Sequence, residues 1–271
     1  MTEDLDSGVG MLLDKIDDLG IADNTIVIYV SDNGAGNAGT LTNNIPLNEG
    51  KATLREGGIR VPMIVRGPAV QADGVIHTPV TTADLFPTIS DVLGIDTPLP
   101  TGLEGGSLRN VLENGGEGTI ARPSEALFWH FPHYQDRLGT SPQSAVRLGD
   151  HKLIKIYETG ELKLFDLDQD IGETRNLADL EPETRDELHQ LLNDWIEAVD
   201  ASIPYVVSDN VELTWDGDQP GTRSGVWRAT TDVQHRARES WHLPDDSPPR
   251  RVAIAPHQSN LPRHAFQFDG T

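Results

Sequence analysis

The sequence predicts an α/β domain built on part of a mostly parallel sheet with flanking helices, followed by a small α+β domain with an antiparallel sheet and one helix. Three observations predict this. A continuous β-branched run lies between helical patterns, short turn-linked strands take over near Pro123, and one last amphipathic helix follows them. The implied limits are 1–122 for the first domain and 123–205 for the second, with 206–271 an irregular or disordered tail.

In chain order, Leu5, Val9, Leu12, Leu13, Ile16 and Leu19 fall at helical spacing, and Gly20 is placed to stop the helix. Thr25-Ile-Val-Ile-Tyr-Val30 reads as a strand buried on both faces, as in the middle of a parallel sheet. Val61–Val65 reads as a second strand, and Ala83–Leu93 as a helix interrupted near its start by Pro87. Residues 94–124, rich in Gly, Pro and Asn, mark the boundary. Beyond it Ser144–Arg147, Lys152–Tyr157 and Glu161–Phe165 read as a meander with turns at Gly149-Asp150 and Thr159-Gly160. A helix over Pro182–Val199 follows, with Leu188, Leu191, Leu192, Trp195 and Ile196 on one face. Periodicity fades after Tyr205, and Asp245–Arg251 is polar and Pro-rich.

Composition narrows the function classes. The 271 residues include no cysteine, which excludes disulfides and thiolate metal sites. With 43 acidic against 21 basic residues the formal net charge is -22, a field that repels nucleic acid and anionic lipid. Only 5 of the basic residues are Lys, against 16 Arg, which suits either a high-salt cytoplasm or a GC-rich genome. No apolar run approaches the roughly 18 residues that span a bilayer. Residues 1–10 carry no basic n-region ahead of an apolar stretch, so the expectation is no signal peptide, no membrane partner and a cytoplasmic location by default.

Chemistry gathers in two segments. Ser31-Asp32-Asn33-Gly34 directly follows the buried run, at the strand end where open α/β sheets bind ligands. A carboxylate and an amide carbonyl there suit a hard cation such as Ca²⁺ or Mg²⁺, while an ordinary Asp-Asn-Gly turn accounts for the same residues. Gly34–Gly39 fits the spacing GxGxxG, but Thr40–Pro46 has no helical pattern, so the nucleotide reading is rejected. In Pro46–Pro62, Lys51 sits in a Gly-flanked loop where an ammonium could neutralise a tetrahedral oxyanion. Arg55, Arg60 and Arg66 read as structural ion-pair partners. His130 and His133 are three apart, but Pro132 argues against a helical metal pair.

These two segments resemble formylglycine-dependent sulfatases, arylsulfatase-like members of the alkaline-phosphatase superfamily. The pattern is a strand ending in Ser-Asp-Asn-Gly, followed by Gly50-Lys51-Ala-Thr-Leu-Arg-Glu56-Gly-Gly-Ile-Arg60-Val-Pro62. Further matches fall in family order: Ala83–Thr88, Gly105–Leu108, Phe131-Pro-His-Tyr134, Ser144–Ile154, Glu161–Glu173 and Asn176–Ala178. The resemblance runs to about Tyr205 and covers the carboxyl-terminal portion of such an enzyme. It implies an alkaline-phosphatase-like sheet, a sulfate-ester substrate and sulfuric ester hydrolase activity in the intact enzyme. It also implies that Asp32 and Asn33 supply half of a Ca²⁺ (or Mg²⁺) site and that Lys51 contacts the sulfate. His133 would lie near the substrate in a catalytic or binding role, with a structural or surface histidine as the alternative.

Two departures accompany it. The family oxidises a Cys or Ser, in a Cys/Ser-x-Pro-x-Arg segment, to formylglycine, and its hydrate attacks sulfur. Ser202-Ile-Pro204 lacks the Arg and lies at the wrong end of the chain, so the expectation is that no such segment is present. The family's upstream Asp pair is also missing, so Met1 is expected to begin inside the domain. A separately encoded amino-terminal half would then be a partner, and the chain alone would be inactive. A phosphodiesterase or phosphatase-type hydrolase of the same superfamily and a non-catalytic binding module remain the alternatives.

Overall fold

The division of the chain into two units does not follow sequence order. One unit joins Met1–Gly34 to Ile59–Leu127, and the other joins Ala35–Gly58 to the chain from Phe128 onward. The computed structural model describes residues 2–36, 44–135, 140–203, 213–215 and 227–229. Residues 35–58 therefore lie in the second unit, whereas the sequence assigns all of 1–122 to the first domain.

In the first unit, helix α1 (Thr2–Asp18) forms where the apolar spacing predicts it, and Gly20 ends it with φ 64°. Its Leu5 and Leu12, and Leu19 just after it, stay exposed, and none of its residues is fully buried. A 3₁₀ turn, Ala22–Asn24, leads into strand β1 (Val27–Val30). Strand β2 (Met63–Arg66) comes after the short helix α2 (Glu56–Ile59), whose first three residues belong to the second unit, and Arg66 pairs with Asp17 of α1 at 3.0 Å. β1 and β2 pair antiparallel, from Val27 opposite Arg66 to Val30 opposite Met63. The expectation is a doubly buried strand in a mostly parallel sheet; the burial is not as expected, and this one pairing runs antiparallel. Among the described residues β1 has one neighbour and is half-buried at every position. The reason is local. Ser31 N–H donates to Pro62 O, so the connection leaves β1 and enters β2 at the same end, which makes the pair antiparallel. An apolar run reports burial propensity and carries no information on strand direction.

Helix α3 (Leu85–Val92) is not interrupted by Pro87, contrary to expectation. Pro87 lies in the first turn, where backbone N–H groups have no intrahelical acceptor to lose. Ahead of it Asp84 closes a capping box with Thr81 and is fully buried against Arg122. Helix α4 (Arg109–Glu113) supplies the core of this unit. Leu108, Val111 and Leu112 pack with Met63, Val65, Val70, Ile76, Val80 and Ile120. Burying each such side chain contributes about 1.5–3 kcal/mol.

In the second unit, strands β3 (Leu127–Phe131), β4 (Gln143–Leu148), β5 (His151–Ile156) and β6 (Leu162–Asp166) form one sheet in that order. β4–β5 and β5–β6 are antiparallel, and Gly149 takes φ 58° in the first hairpin turn, which a side chain would strain. Helix α5 (Pro182–Ala198) starts with Pro in its first turn. It buries Leu188, Leu192 and Ile196, and stacks Trp195 on Phe128 at 4.9 Å between ring centroids. The small α+β arrangement is as the sequence predicts. Within the predicted irregular tail, two short strands, β7 (Leu213–Trp215) and β8 (Trp227–Ala229), pair antiparallel, and the other positions of 206–271 lie outside the described residues. No helix among the described residues is long and apolar enough to cross a membrane.

Candidate functional site

The candidate residues belong to different units: Asp32 and Asn33 to the first, Lys51 and His133 to the second. After β1 the chain folds into a tight bend. Ser31 Oγ donates to Asn33 O at 2.9 Å, and Asn33 N–H donates to Asp32 Oδ1 at 2.9 Å. The bend leaves Asp32 exposed and Asn33 half-buried at the carboxyl end of the strand. Both offer oxygen, the donor type a hard cation takes. Two side chains are fewer than the six to eight oxygens such an ion gathers. Among the described residues no group of three or more His, Cys, Asp or Glu could hold an ion.

Lys51 stands exposed on a loop held by its own backbone. Asn44 ties it at two places: its Oδ1 accepts Ala35 N–H, and its Nδ2 donates to Ala35 O and Glu49 O. Lys51 N–H donates to Ala35 O at 3.0 Å, and Thr53 Oγ1 donates to Gly50 O at 2.9 Å. The next turn needs glycine. A Cβ on Gly57 would collide with the carbonyls of Asn48 and Glu49, and one on Gly58 with those of Gly50 and Thr53. The Glu-Gly-Gly string is thus a packing requirement of the Lys51 loop.

Beneath that loop lies a charge cluster that the sequence reading missed. Lys152 Nζ donates to Glu56 Oε1 at 2.8 Å and lies 3.1 Å from Glu173 Oε1; the second contact matches charge without hydrogen-bond geometry. All three side chains are buried. Burial pushes the Glu173 carboxyl above its ordinary value, and Lys152, Glu56 N–H and Arg55 only partly oppose this. Arg55 stacks over Phe165 at 4.5 Å and meets Glu49 at 3.8 Å, so its reading as an ion-pair partner holds. The available signal was the scarcity of lysine, two of whose five copies fall three apart in Lys152-Leu-Ile-Lys155.

His133 lies just beyond β3, exposed, its ring edge-on to Phe131 at 5.4 Å. His130 is engaged elsewhere. Its Nε2 donates to Ser202 O at 2.8 Å, so its Nδ1 accepts from Ser144 Oγ at 2.7 Å, and Ser144 in turn accepts from Tyr157. Burial pulls His130 below its ordinary pKa and pushes Tyr157 up to about 12. Both ring nitrogens of His130 are thus engaged by Ser144 and Ser202.

One string overturns the expectation that the chain lacks a Ser-x-Pro-x-Arg. Ser247-Pro-Pro-Arg-Arg251 has that spacing in full. It lies outside the described residues and on the far side of the meander from the order the resemblance implies.

Residues 1–95 match the family described as Sulfatase, and residues 50–201 match the carboxyl-terminal family of N-sulphoglucosamine sulphohydrolase. The second match covers more than half of the chain. The chain belongs to the sulfatase family. It is 39% identical over 190 residues to a sulfatase of Formosa agariphila, covering 64% of this chain and 34% of that protein. Human arylsulfatase A is 35% identical over 157 residues, covering 55% and 28%. A solved structure in complex with its substrate D-glucosamine-2-N,6-O-disulfate superposes with TM-score 0.60 at 26% identity, covering 72% of this chain and 38% of that one. A phosphonate monoester hydrolase of Agrobacterium radiobacter shares the fold at TM-score 0.51 and 22% identity. This sulfatase-family chain spans about a third of the length of the curated relatives it matches.

Proposed function

We propose that this chain is the carboxyl-terminal portion of a sulfate-ester hydrolase and that Lys51 contacts the sulfate group of the substrate. The observation that carries the reading is the wound Lys51 loop: its Gly57-Gly58 turn permits no Cβ, and it lies within both matched segments. An exposed ammonium on a chain of net charge -22 is a local attractor for an anion in an otherwise repelling field. His133 contributes to the same substrate contact. β1 and β2 belong, in the intact enzyme, to a larger mostly parallel sheet.

Asp32 and Asn33 would hold part of a divalent site, Ca²⁺ or Mg²⁺, whose charge would stabilise the sulfate oxygens. The nucleophile would be a formylglycine hydrate carried on the part of the family's length that this chain does not span. What this chain's own residues do is bind and orient. Lys51 offers three N–H donors to sulfate oxygens, and the Asp32 carboxylate is oriented by the N–H of Asn33. With only two of its oxygen donors here, the metal site should bind Ca²⁺ weakly. Calorimetry that finds tight binding surviving Asp32→Ala would move the ion elsewhere.

The deciding assay is sulfate release from a chromogenic aryl sulfate by the purified chain, with Asp32→Ala and Ser247→Ala beside it. The expected result is no turnover above background. Turnover lost in Ser247→Ala would make Ser247 the nucleophile and overturn the inactive reading. Once an amino-terminal segment and a formylglycine-generating enzyme are supplied, Lys51→Ala should cost about a hundredfold or more in kcat, the scale for one oxyanion-stabilising group. The shared fold with a phosphonate hydrolase favours one competing reading, phosphoryl-type hydrolysis. An aryl phosphonate turned over faster than the sulfate by the reconstituted enzyme would select it.

A further inference from the structure

Three buried charged groups lie within the second unit beneath the loop that carries Lys51, and the proposed function gives them no task. We propose that Lys152, with Glu56 and Glu173, is a positioning residue: the cluster fixes the Lys51 loop to the meander and so sets where the Lys51 ammonium stands. This rests on the reading of Lys51 as the sulfate contact.

The contacts run from the loop to two separate elements. Glu56 sits five positions after Lys51, at the start of α2, and its side chain takes the Lys152 ammonium from β5. Its backbone N–H donates to Glu173 Oε2 at 2.7 Å. The backbone carbonyl of Glu173 accepts from Asn48 Nδ2 and from Arg55 Nη1. Glu173 therefore receives the loop at three points: before Lys51 through Asn48, and after it through Arg55 and Glu56. Leu54 N–H adds a bond to the Gln143 side chain of β4. Glu173 holds φ 50°, a left-handed conformation that a residue with a Cβ keeps only when its surroundings impose it.

Charge explains why lysine is needed at 152. Glu56 and Glu173 would repel each other if left alone in a buried site, and Lys152 lies within ion-pair distance of both. Removing the ammonium takes away the cation that two buried carboxylates share, one on the loop and one on the body. The cheapest response is for the loop to leave. A merely structural salt bridge would instead weaken the whole unit evenly.

Lysyl endopeptidase separates these outcomes, because the chain offers it only Lys15, Lys51, Lys152, Lys155 and Lys163. Cleavage after Lys51 reads loop release, and cleavage after Lys163, within β6, reads opening of the sheet. In the full chain Lys152→Met should speed cleavage after Lys51 at least about tenfold, while cleavage after Lys163 changes less than about threefold. Lys152→Met/Glu173→Gln should recover most of the protection, since one of the two carboxylates no longer carries charge. If Lys152→Met does not fold, Glu56→Gln carries the test and should speed the Lys51 cut selectively. Equal acceleration at both sites, no acceleration at Lys51, or a double variant no better than Lys152→Met each overturns the proposal.

Inorganic sulfate, against chloride of matched ionic strength, supplies the second readout. It should slow the Lys51 cut in the unaltered chain and lose that effect in Lys152→Met. Sulfate that protects nothing overturns the reading of Lys51 as an anion contact, while selective loop release in the same variants still supports the positioning role.

Discussion

Two buried acids, one in each unit, meet the same physics with opposite results. Asp84 accepts N–H bonds from Thr81 and Gly106 and a forked pair from Arg122, at 2.8 Å to Oδ1 and 2.7 Å to Oδ2. Burial pushes its pKa upward, but the Arg122 and backbone hydrogen bonds hold it below its ordinary value. Glu173 has one backbone N–H and an ammonium shared with Glu56, and burial wins. The difference lies in how many lone pairs are answered. A buried carboxylate supports a fold in proportion to its satisfied bonds.

The comparison can be broken most decisively at Arg122. Arg122→Met strands a fully satisfied carboxylate and should cost about 3–5 kcal/mol in denaturant unfolding. A loss under about 1 kcal/mol would refute the idea that this pair anchors α3. Acid should separate the two acids next. The folded pKa of Asp84 is lowered, so its stabilising contribution is full above the unfolded carboxylate range and lost as pH falls through the folded value. The folded pKa of Glu173 is raised, so its ionised form weighs against the fold, and protonation on acidification relieves that. No tryptophan precedes residue 129, and Trp129 and Trp195 lie in the second unit, so tryptophan fluorescence is blind to the first unit while far-UV circular dichroism reports both. On acid titration the circular dichroism signal should fall before tryptophan fluorescence changes. Coincident transitions would show the units are not independently poised.

A smaller effect belongs to Lys155, which burial pulls down to about 7. A base depressed in the folded state costs nothing where both states are neutral. Its cost accumulates as pH falls from the unfolded value toward 7 and is constant below. Lys155→Met should therefore raise Tm more at pH 6 than at pH 10. An equal gain at both would assign the effect to packing on Tyr157 rather than to charge. The smallest expected change is Glu173→Gln, within about 1 kcal/mol of the unaltered chain, because the lost charge was already costly.

The parts of the fold legible in the sequence are those set locally. Gly149-Asp150 announced the β4–β5 hairpin, and Leu188, Leu192 and Ile196 announced the buried face of α5. The direction of β1 was hidden because a continuous run of Ile and Val has no polarity, and Ser31 and Pro62 meet only after folding. Lys152 was hidden for a different reason. A lysine in a strand reads as solvent-facing, and nothing near it in sequence foretells the two carboxylates 96 residues before and 21 after it. The candidate residues Asp32, Asn33, Lys51 and His133 were visible because motifs are local, and what supports the Lys51 loop was not.

The tie between Glu56 and Glu173 spans 117 residues, and that fixes a schedule at the ribosome. The Lys51 loop is made early, but its anchor leaves the exit tunnel only after the whole meander has been translated. At 5–20 residues per second the wait is roughly 6–23 s. For that interval a glycine-rich segment carrying an exposed lysine waits without its docking partner, and sheet β4–β6 must form before the loop can lock.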